Sequence, residues 1–208
     1  MKVLVIGASG TIGQHLVQQS LKEGHQVTAF CRDPSRLDAH PNLVPFAGDA
    51  GVYADVLSAM NGQETVIIVL GSGKKRTGNI RSLGTKHVVQ AMRTEGVKRL
   101  ICQTTLGCGD SHATLNFFWK YIMFGWFLKA VFLDHEAQEK VVKESGLDWT
   151  LIRPGAFMDG PQTGVYYHGN LTQSNKLKLK VSRQDVADFL VKQIHSTQYL
   201  FKTPGLSY

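Results

Sequence analysis

Three glycines spaced by three, Gly7, Gly10 and Gly13, stand in the run Gly7-Ala8-Ser9-Gly10-Thr11-Ile12-Gly13, directly after an apolar stretch. That spacing suits a strand-to-helix turn that cradles a pyrophosphate. The first glycine permits the tight turn, the second lets backbone approach the phosphates, and the third lets helix and strand pack closely. The helix N-terminus then offers free N–H groups and the positive end of its dipole. No GxxxxGK[ST] run exists, which excludes a nucleoside-triphosphate P-loop. An acid that binds the ribose is expected about 20 residues further on. The chain instead reads Phe30-Cys31-Arg32-Asp33-Pro34-Ser35-Arg36, with Arg32 lying 19 residues past Gly13. Two guanidiniums suit a ribose 2′-phosphate, which favours NADP(H) over NAD(H); Asp33 turned toward the ribose would reverse that preference. Asp49 follows a third apolar run, a natural place for an acid near the adenine edge, and Leu70-Gly71-Ser72 follows a fourth, where backbone lines a pyrophosphate. Such carboxyl ends of strands are where open α/β sheets bind ligands.

The elements that must carry these residues alternate. Residues 3–6 are a continuous apolar run, the pattern of a strand buried in a parallel sheet. Further strands are predicted at 27–30, 43–46, 66–70, 99–102 and 149–152. Between them lie a helix through Leu16, Val17 and Leu21 closed by Gly24, and helices over 52–60, 80–95 and 134–145, the last two stopped by Gly96 and Gly146. This alternation predicts an α/β fold: a single-domain doubly wound parallel sheet over 1–208. After Pro154 the pattern changes. Residues 155–164 read as a loop, 165–168 and 176–181 as short strands, and 182–194 as a last helix with Ser182 as N-cap and Asp185 in its first turn. The stretch 155–181 reads as a small elaboration on the substrate side.

Residues 115–133 hold only three polar residues, Asn116, Lys120 and Lys129. Length alone makes this a transmembrane candidate. Topology argues against a span, because strands predicted before and after it must share one sheet. The segment 106–133 is therefore read as a lid or pocket wall, with a subunit interface or membrane-surface contact as alternatives.

Hydrophobic residues are 43% and charged residues 19% of 208, which excludes a disordered or fibrous chain. A net charge of +7 favours anionic partners. The basic residues are scattered and no nucleic-acid motif accompanies them, so no nucleic-acid partner is expected. Cys31, Cys102 and Cys108 form neither a CxxC nor a metal-ligand set. No metal is expected, and the reducing cytoplasm is the expected location.

Taken together, GASGTIG, CRDPSR, GDA, VLGSG, GTKHVVQAM, ICQTT, DHEAQEKVVKESGLDWTLIRPG, DGPQTG and KVSRQDVADFLV resemble the atypical single-domain short-chain dehydrogenase/reductases of the NmrA-like group. Within that group the similarity is to its biliverdin-IXβ reductase and flavin reductase branch, and it runs from Lys2 to about Tyr199. The resemblance implies an NADPH-dependent reductase that passes hydride to a conjugated acceptor, either a flavin (FMN or riboflavin) or a linear tetrapyrrole of the biliverdin IXβ type. It places cofactor contacts on Gly7, Ser9, Gly10, Ile12, Arg32, Ser35, Arg36, Asp49, Ala50, Leu70, Gly71, Thr104 and Thr105, with Ala8, Thr11, Gly13, Ser72 and Pro154 beside them. Thr105 would sit at the nicotinamide and substrate, and His135 matches a histidine near the cofactor. These two are the catalytic candidates. A reactive cysteine of the family falls on Gln103 and a pocket histidine on Ala156, so neither chemistry transfers.

Ordinary short-chain dehydrogenases protonate a carbonyl oxygen with a Tyr-x-x-x-Lys pair. None of the six tyrosines has Lys four positions on; Glu136 and Lys140 stand where the pair would lie. A delocalised acceptor needs less local proton delivery, which agrees with the resemblance. Two alternatives stay open: an NADP(H)-binding redox sensor or assembly scaffold without turnover, and a quinone or enone reductase. The chain is expected to be a monomer or homodimer.

Overall fold

Val3, Leu4, Val5 and Ile6 are completely buried, as a strand covered by helices on both faces requires. In the computed structural model, which describes residues 1–73, 78–114, 128–171 and 177–208, they lie in the first of ten strands. The strands are β1 (Lys2–Ile6), β2 (Gln26–Cys31), β3 (Leu43–Ala47), β4 (Thr65–Ile68), β5 (Arg99–Gln103), β6 (Asp148–Pro154), β7 (Ala156–Met158), β8 (Tyr167–Gly169), β9 (Lys180–Ser182) and β10 (Gly205–Ser207). Eight of them form one sheet in the order β3-β2-β1-β4-β5-β6-β10-β8. All neighbours in it are parallel except β8, which runs antiparallel to β10. β7 and β9 make a separate parallel pair.

Two helix layers cover the sheet, as the doubly wound reading of the sequence requires. Alternation along β1 shows why. Val3 and Val5 join one core cluster with Leu16 and Val17 of α1 (Gly13–Lys22) and Val186 and Leu190 of α5 (Arg183–Lys192). Leu4 and Ile6 join the other, with Val56 of α2 (Tyr53–Met60), Met92 of α3 (Ile80–Glu95) and Val142 of α4 (Lys129–Lys143). The strand order proceeds outward from β1 in both directions. The crevice at the carboxyl ends of β1 and β4 is therefore the topological switch point, where such sheets take ligands.

Local signals set several boundaries as expected. Gly96 ends α3 in the left-handed conformation at φ 72°, which glycine adopts without a Cβ penalty. The Ser182 side chain caps α5 by accepting the Asp185 N–H at 3.0 Å. Others differ. α4 begins at Lys129, not Asp134, because the apolar residues before Asp134 continue its inward face. Residues 155–164 hold β7 where a loop was expected. Gly155 looked like a loop signal, but it lets two backbones meet: a Cβ there would lie 2.4 Å from the Leu179 carbonyl oxygen. The strand expected at 165–168 lies at Tyr167–Gly169, and that at 176–181 contracts to Lys180–Ser182. β10 has only three residues and no periodicity to betray it. Of the segment 106–133, residues 115–127 lie outside those described. β5 and β6 pair directly, so the chain between them leaves and returns at one sheet position. No helix among the described residues is long and apolar enough to cross a membrane.

Candidate functional site

The glycine turn is fixed by backbone contacts. Gly7 has φ +96°, and a Cβ on it would lie 2.8 Å from the Val69 carbonyl oxygen. A Cβ on Gly13 would lie 2.2 Å from the Gly7 oxygen, so α1 and β1 approach only because that position has no side chain. The Gly7 and Ala8 amides both donate to the Phe30 carbonyl, at 3.0 and 3.2 Å. These bonds tie the turn to the end of β2. Half-buried Ser9 accepts a bond from the Gln14 side chain on its carbonyl at 3.2 Å. α1 opens at Ile12 with no side-chain cap and no acid in its first turn. The Gln14 amide donates back to the Gly10 carbonyl at 3.0 Å, and no side chain caps the positive end of the helix dipole.

Arg32, Ser35 and Arg36 are exposed at the end of β2. Asp33 does not reach out beside them. Its Oδ1 accepts the Ser35 amide at 3.0 Å and the Ser35 hydroxyl at 2.6 Å, capping the short 3-10 turn Pro34–Arg36. The Ser35 hydroxyl bond, its amide bond and nearby Arg36 hold the Asp33 carboxyl below its ordinary value. Among the described residues neither arginine forms an ion pair. Beyond β3, the Asp49 Oδ1 accepts the Gly51 amide at 2.8 Å, and the carbonyl of buried Ala50 meets His87 Nδ1 at 3.0 Å.

A cleft of about 410 Å³ opens at the switch point. Gly10, Thr11 and Ile12 form one end, Leu70 and Gly71 follow, and Thr104, Thr105, His135 and Pro154 lie beyond them. The walls are largely apolar, with Leu106, Leu128, Val131, Phe132 and Phe157. The cavity thus brings together Gly10, Thr11 and Ile12 of the turn with Leu70, Gly71, Thr104, Thr105, His135 and Pro154. Gly7, Ala8, Ser9, Gly13, Arg32, Ser35, Arg36, Asp49, Ala50 and Ser72 do not line it.

The two threonines differ. Thr104 is fully buried, and its hydroxyl donates to Glu139 Oε1 at 3.0 Å. Glu139 is held in turn by Arg153, whose Nε and Nη2 donate to its two oxygens at 2.8 and 2.7 Å. Burial works to raise the Glu139 carboxyl, but the Arg153 bonds and charge outweigh it and leave the group below its ordinary value. The Thr104 side chain is thus committed to α4 and not to a ligand. Thr105 is half-buried and lines the cleft, and among the described residues its hydroxyl makes one contact, at 3.4 Å with the Leu106 carbonyl.

His135 is 5% exposed, and its Nδ1 lies 3.1 Å from Gln138 Oε1. The Gln138 amide nitrogen donates to Thr85 Oγ1 at 3.0 Å. With the amide oriented this way, Nδ1 carries the proton and Nε2 is a bare acceptor. Burial, reinforced by the Arg81 charge, pulls His135 down to about 4. At pH 7 the ring is neutral, so it is no proton donor in the imidazolium form.

Sequence reasoning missed two arginines in this cleft, Arg81 and Arg183. Arg81 lies in a helix pattern and resembles any surface cation until α4 packs over it. Glu136 and Lys140 are both exposed, and Lys140 pairs with Glu144 at 4.0 Å. Among the described residues no tyrosine lines the cleft and no His/Cys/Asp/Glu cluster could hold a metal ion. The three cysteines are buried, and burial with the Glu139 charge pushes the Cys102 and Cys108 thiols far up, away from reactivity.

Known proteins are similar to this chain in sequence or in fold. A 3-beta-hydroxysteroid dehydrogenase of Mycolicibacterium neoaurum is 38% identical over 112 residues, 48% of this chain and 31% of that protein. The chain thus spans about a third of that relative's length. Two solved structures share the fold. ChuY of Escherichia coli O157:H7, an anaerobilin reductase, is 24% identical with a TM-score of 0.79, over 99% of this chain and 96% of its own. A short-chain dehydrogenase/reductase of Veillonella parvula DSM 2008, in complex with NADP, is 17% identical with a TM-score of 0.83, over 100% of this chain and 94% of its own. The model of the NAD(P)H-binding family matches residues 7–197, and with its glycine turn, its uncapped first helix and its switch-point cleft, the chain belongs to that family.

Proposed function

We propose that the protein is an NADPH-dependent reductase that transfers hydride to a conjugated acceptor, a flavin or a linear tetrapyrrole. The observation that carries this reading is the composition of the cleft: largely apolar and aromatic walls with the Thr105 hydroxyl among them, and no tyrosine among its described lining. A ketone reductase must deliver a proton to a localised oxyanion. A conjugated ring system spreads the charge and takes its proton from water.

The chain's residues fit the cofactor. Gly10, Thr11 and Ile12 would receive the pyrophosphate on backbone, without a side-chain cap in the way. Asp49 and Ala50 would border the adenine. Arg32 and Arg36 favour a 2′-phosphate and so NADP(H) over NAD(H), because Asp33 is spent on Ser35 and leaves the ribose to the guanidiniums. Bound NADPH supplies the hydride. Thr105 would orient the nicotinamide and the acceptor, and neutral His135 would accept a hydrogen bond at Nε2 and position the cofactor. Phe132 and Phe157 stand on the cleft wall, the Phe157 ring beneath the Arg183 guanidinium at 5.9 Å, and would flank a flat acceptor. Leu106, Leu128, Val131 and Leu179 would exclude water from the transfer. Catalysis would rest on orientation rather than on acid–base chemistry. Reduction consumes one hydride from NADPH and one proton from water. In this reading 1–208 is one cofactor-binding domain, with Leu106, Leu128, Val131 and Phe132 and, beyond Pro154, Ala156, Phe157 and Leu179 on the acceptor's side of the cleft.

The test follows NADPH absorbance with FMN, riboflavin, biliverdin IXβ and a quinone as separate acceptors. Turnover of flavin or bilin that slows in Thr105→Ala supports the reading. Turnover of quinone alone moves the acceptor class to enones. Tight NADPH binding without turnover of any acceptor overturns the reductase reading in favour of a sensor or scaffold.

A further inference from the structure

Arg81 is a charged side chain built into the cleft, and among the described residues two of its donors, Nε and Nη1, have no hydrogen-bond partner. It is 8% exposed and lines the cavity. Its Nε and Nη1 are both buried. The neighbouring carboxylate serves it by charge, while its hydrogen bonds go mainly to the start of α3. Asp134, on α4, accepts the Arg81 backbone N–H at 3.1 Å, the Ser82 N–H at 3.0 Å and the Ser82 hydroxyl at 2.6 Å. It thereby caps the N-terminus of α3, whose own cap residue Asn79 makes no side-chain cap bond. Arg81 Nη1 stays 3.6 Å from Asp134 Oδ2, an ion pair without a hydrogen bond.

Buried donors of a charged group are costly to leave unmade, and native proteins rarely leave them so. A second observation points to a ligand: both donors belong to a residue that forms the wall of an open cavity, beside Thr105 and His135. We infer that Arg81 is an oxyanion anchor, donating to a phosphate oxygen of the molecule bound in the cleft. This deepens the reductase reading by one chemical requirement: a ligand in the cleft carries its negative charge against α3. A charge-assisted bond of this kind is worth roughly tenfold to a hundredfold in affinity.

Two sources of that oxygen are distinguished by pairing variants with probes. Arg81→Met keeps the bulk and removes the charge, and Arg81→Lys keeps the charge and loses the fork. Equilibrium binding of NADPH, FMN and riboflavin is measured by fluorescence, so the test does not depend on turnover and stands even if no acceptor is reduced. NADPH weakened tenfold or more in Arg81→Met assigns the oxygen to the cofactor. FMN weakened with riboflavin unchanged assigns it to the acceptor, because the two share a ring and differ in the phosphate. In either case Arg81→Lys recovers part of the loss. Unchanged affinity for all three probes in a variant with wild-type circular dichroism overturns the inference. So does an equal loss for FMN and riboflavin with NADPH unchanged, since a neutral ligand would then feel the arginine as much as a charged one. If Arg81→Met does not fold, Arg81→Lys carries the same comparison.

Discussion

Two of the three glycines in the turn make opposite predictions, although both belong to one motif. An added Cβ on Gly13 would lie 2.2 Å from the Gly7 oxygen and 2.7 Å from the Ala8 oxygen, all backbone with no rotamer to yield. An added Cβ on Gly10 would meet only the Gly7 oxygen, at 3.2 Å, which a few tenths of an ångström relieve. Gly13→Ala therefore separates α1 from β1 and costs about 3 kcal/mol, the upper range for overpacking. For a chain of this size that lowers Tm by roughly 6–12 °C. Gly10→Ala costs under about 1 kcal/mol, but its methyl stands where backbone must approach a pyrophosphate, and NADPH binding should weaken by roughly tenfold or more. Calorimetry of the free proteins, with NADPH titration of each, separates the two effects. A Gly10→Ala protein that binds NADPH like the wild type would show that the pyrophosphate does not lie on this turn. A Gly13→Ala protein with unchanged Tm would refute the packing argument.

Arg32→Ala and Arg36→Ala should each weaken NADPH roughly tenfold and leave NADH unchanged, with the difference shrinking at high salt because both side chains are exposed; equal losses for both cofactors would remove the 2′-phosphate assignment. Thr105→Val should slow hydride transfer roughly tenfold with little change in Tm, whereas Thr104→Val, which deprives buried Glu139 of a donor, should cost about 1–2 kcal/mol, a contrast read by single-turnover kinetics and urea denaturation. His135 titrates near 4 in the fold against an ordinary 6.5, so the unfolded chain takes up its proton first. The stabilisation is complete above pH 6.5 and is lost as pH falls toward 4, by roughly 3 kcal/mol. Denaturation at pH 7 and pH 4.5 should show this extra loss in the wild type and not in His135→Asn; the same loss in both would refute the burial account.

The glycine turn was legible because its physics is local. A strand, three positions without side chains and a helix start follow one another within a dozen residues, and each constraint binds a neighbour. The alternation of apolar runs and helix patterns located β1 through β6 for the same reason. What escaped depends on distant backbone. Gly155 reads as a loop residue until Leu179 lies against it, and β10 has no pattern of its own beyond the partners that β6 and β8 supply. Arg81 reads as an exposed helix cation, because nothing near it in sequence says that Asp134, 53 positions on, will bury it.

The threonine pair shows how the fold turns such distant contacts into chemistry. Thr104 and Thr105 follow β5 directly and both reach the cleft. Glu139 of α4, fixed by the fully buried Arg153, takes the Thr104 hydroxyl. Thr105 carries no such bond to α4 among the described residues. α4 also contributes Asp134 to the end of α3 and His135 to the cleft wall. One helix thus orients a threonine, caps the helix that carries Arg81 and presents the neutral imidazole. The Tyr-x-x-x-Lys pair of ordinary relatives would have to occupy this same helix. Here its inward positions are filled by His135, Gln138, Glu139 and Val142, which hold groups in place and carry no acid with which to protonate a substrate. A helix spent on positioning suits an acceptor that needs only to be held flat against the nicotinamide.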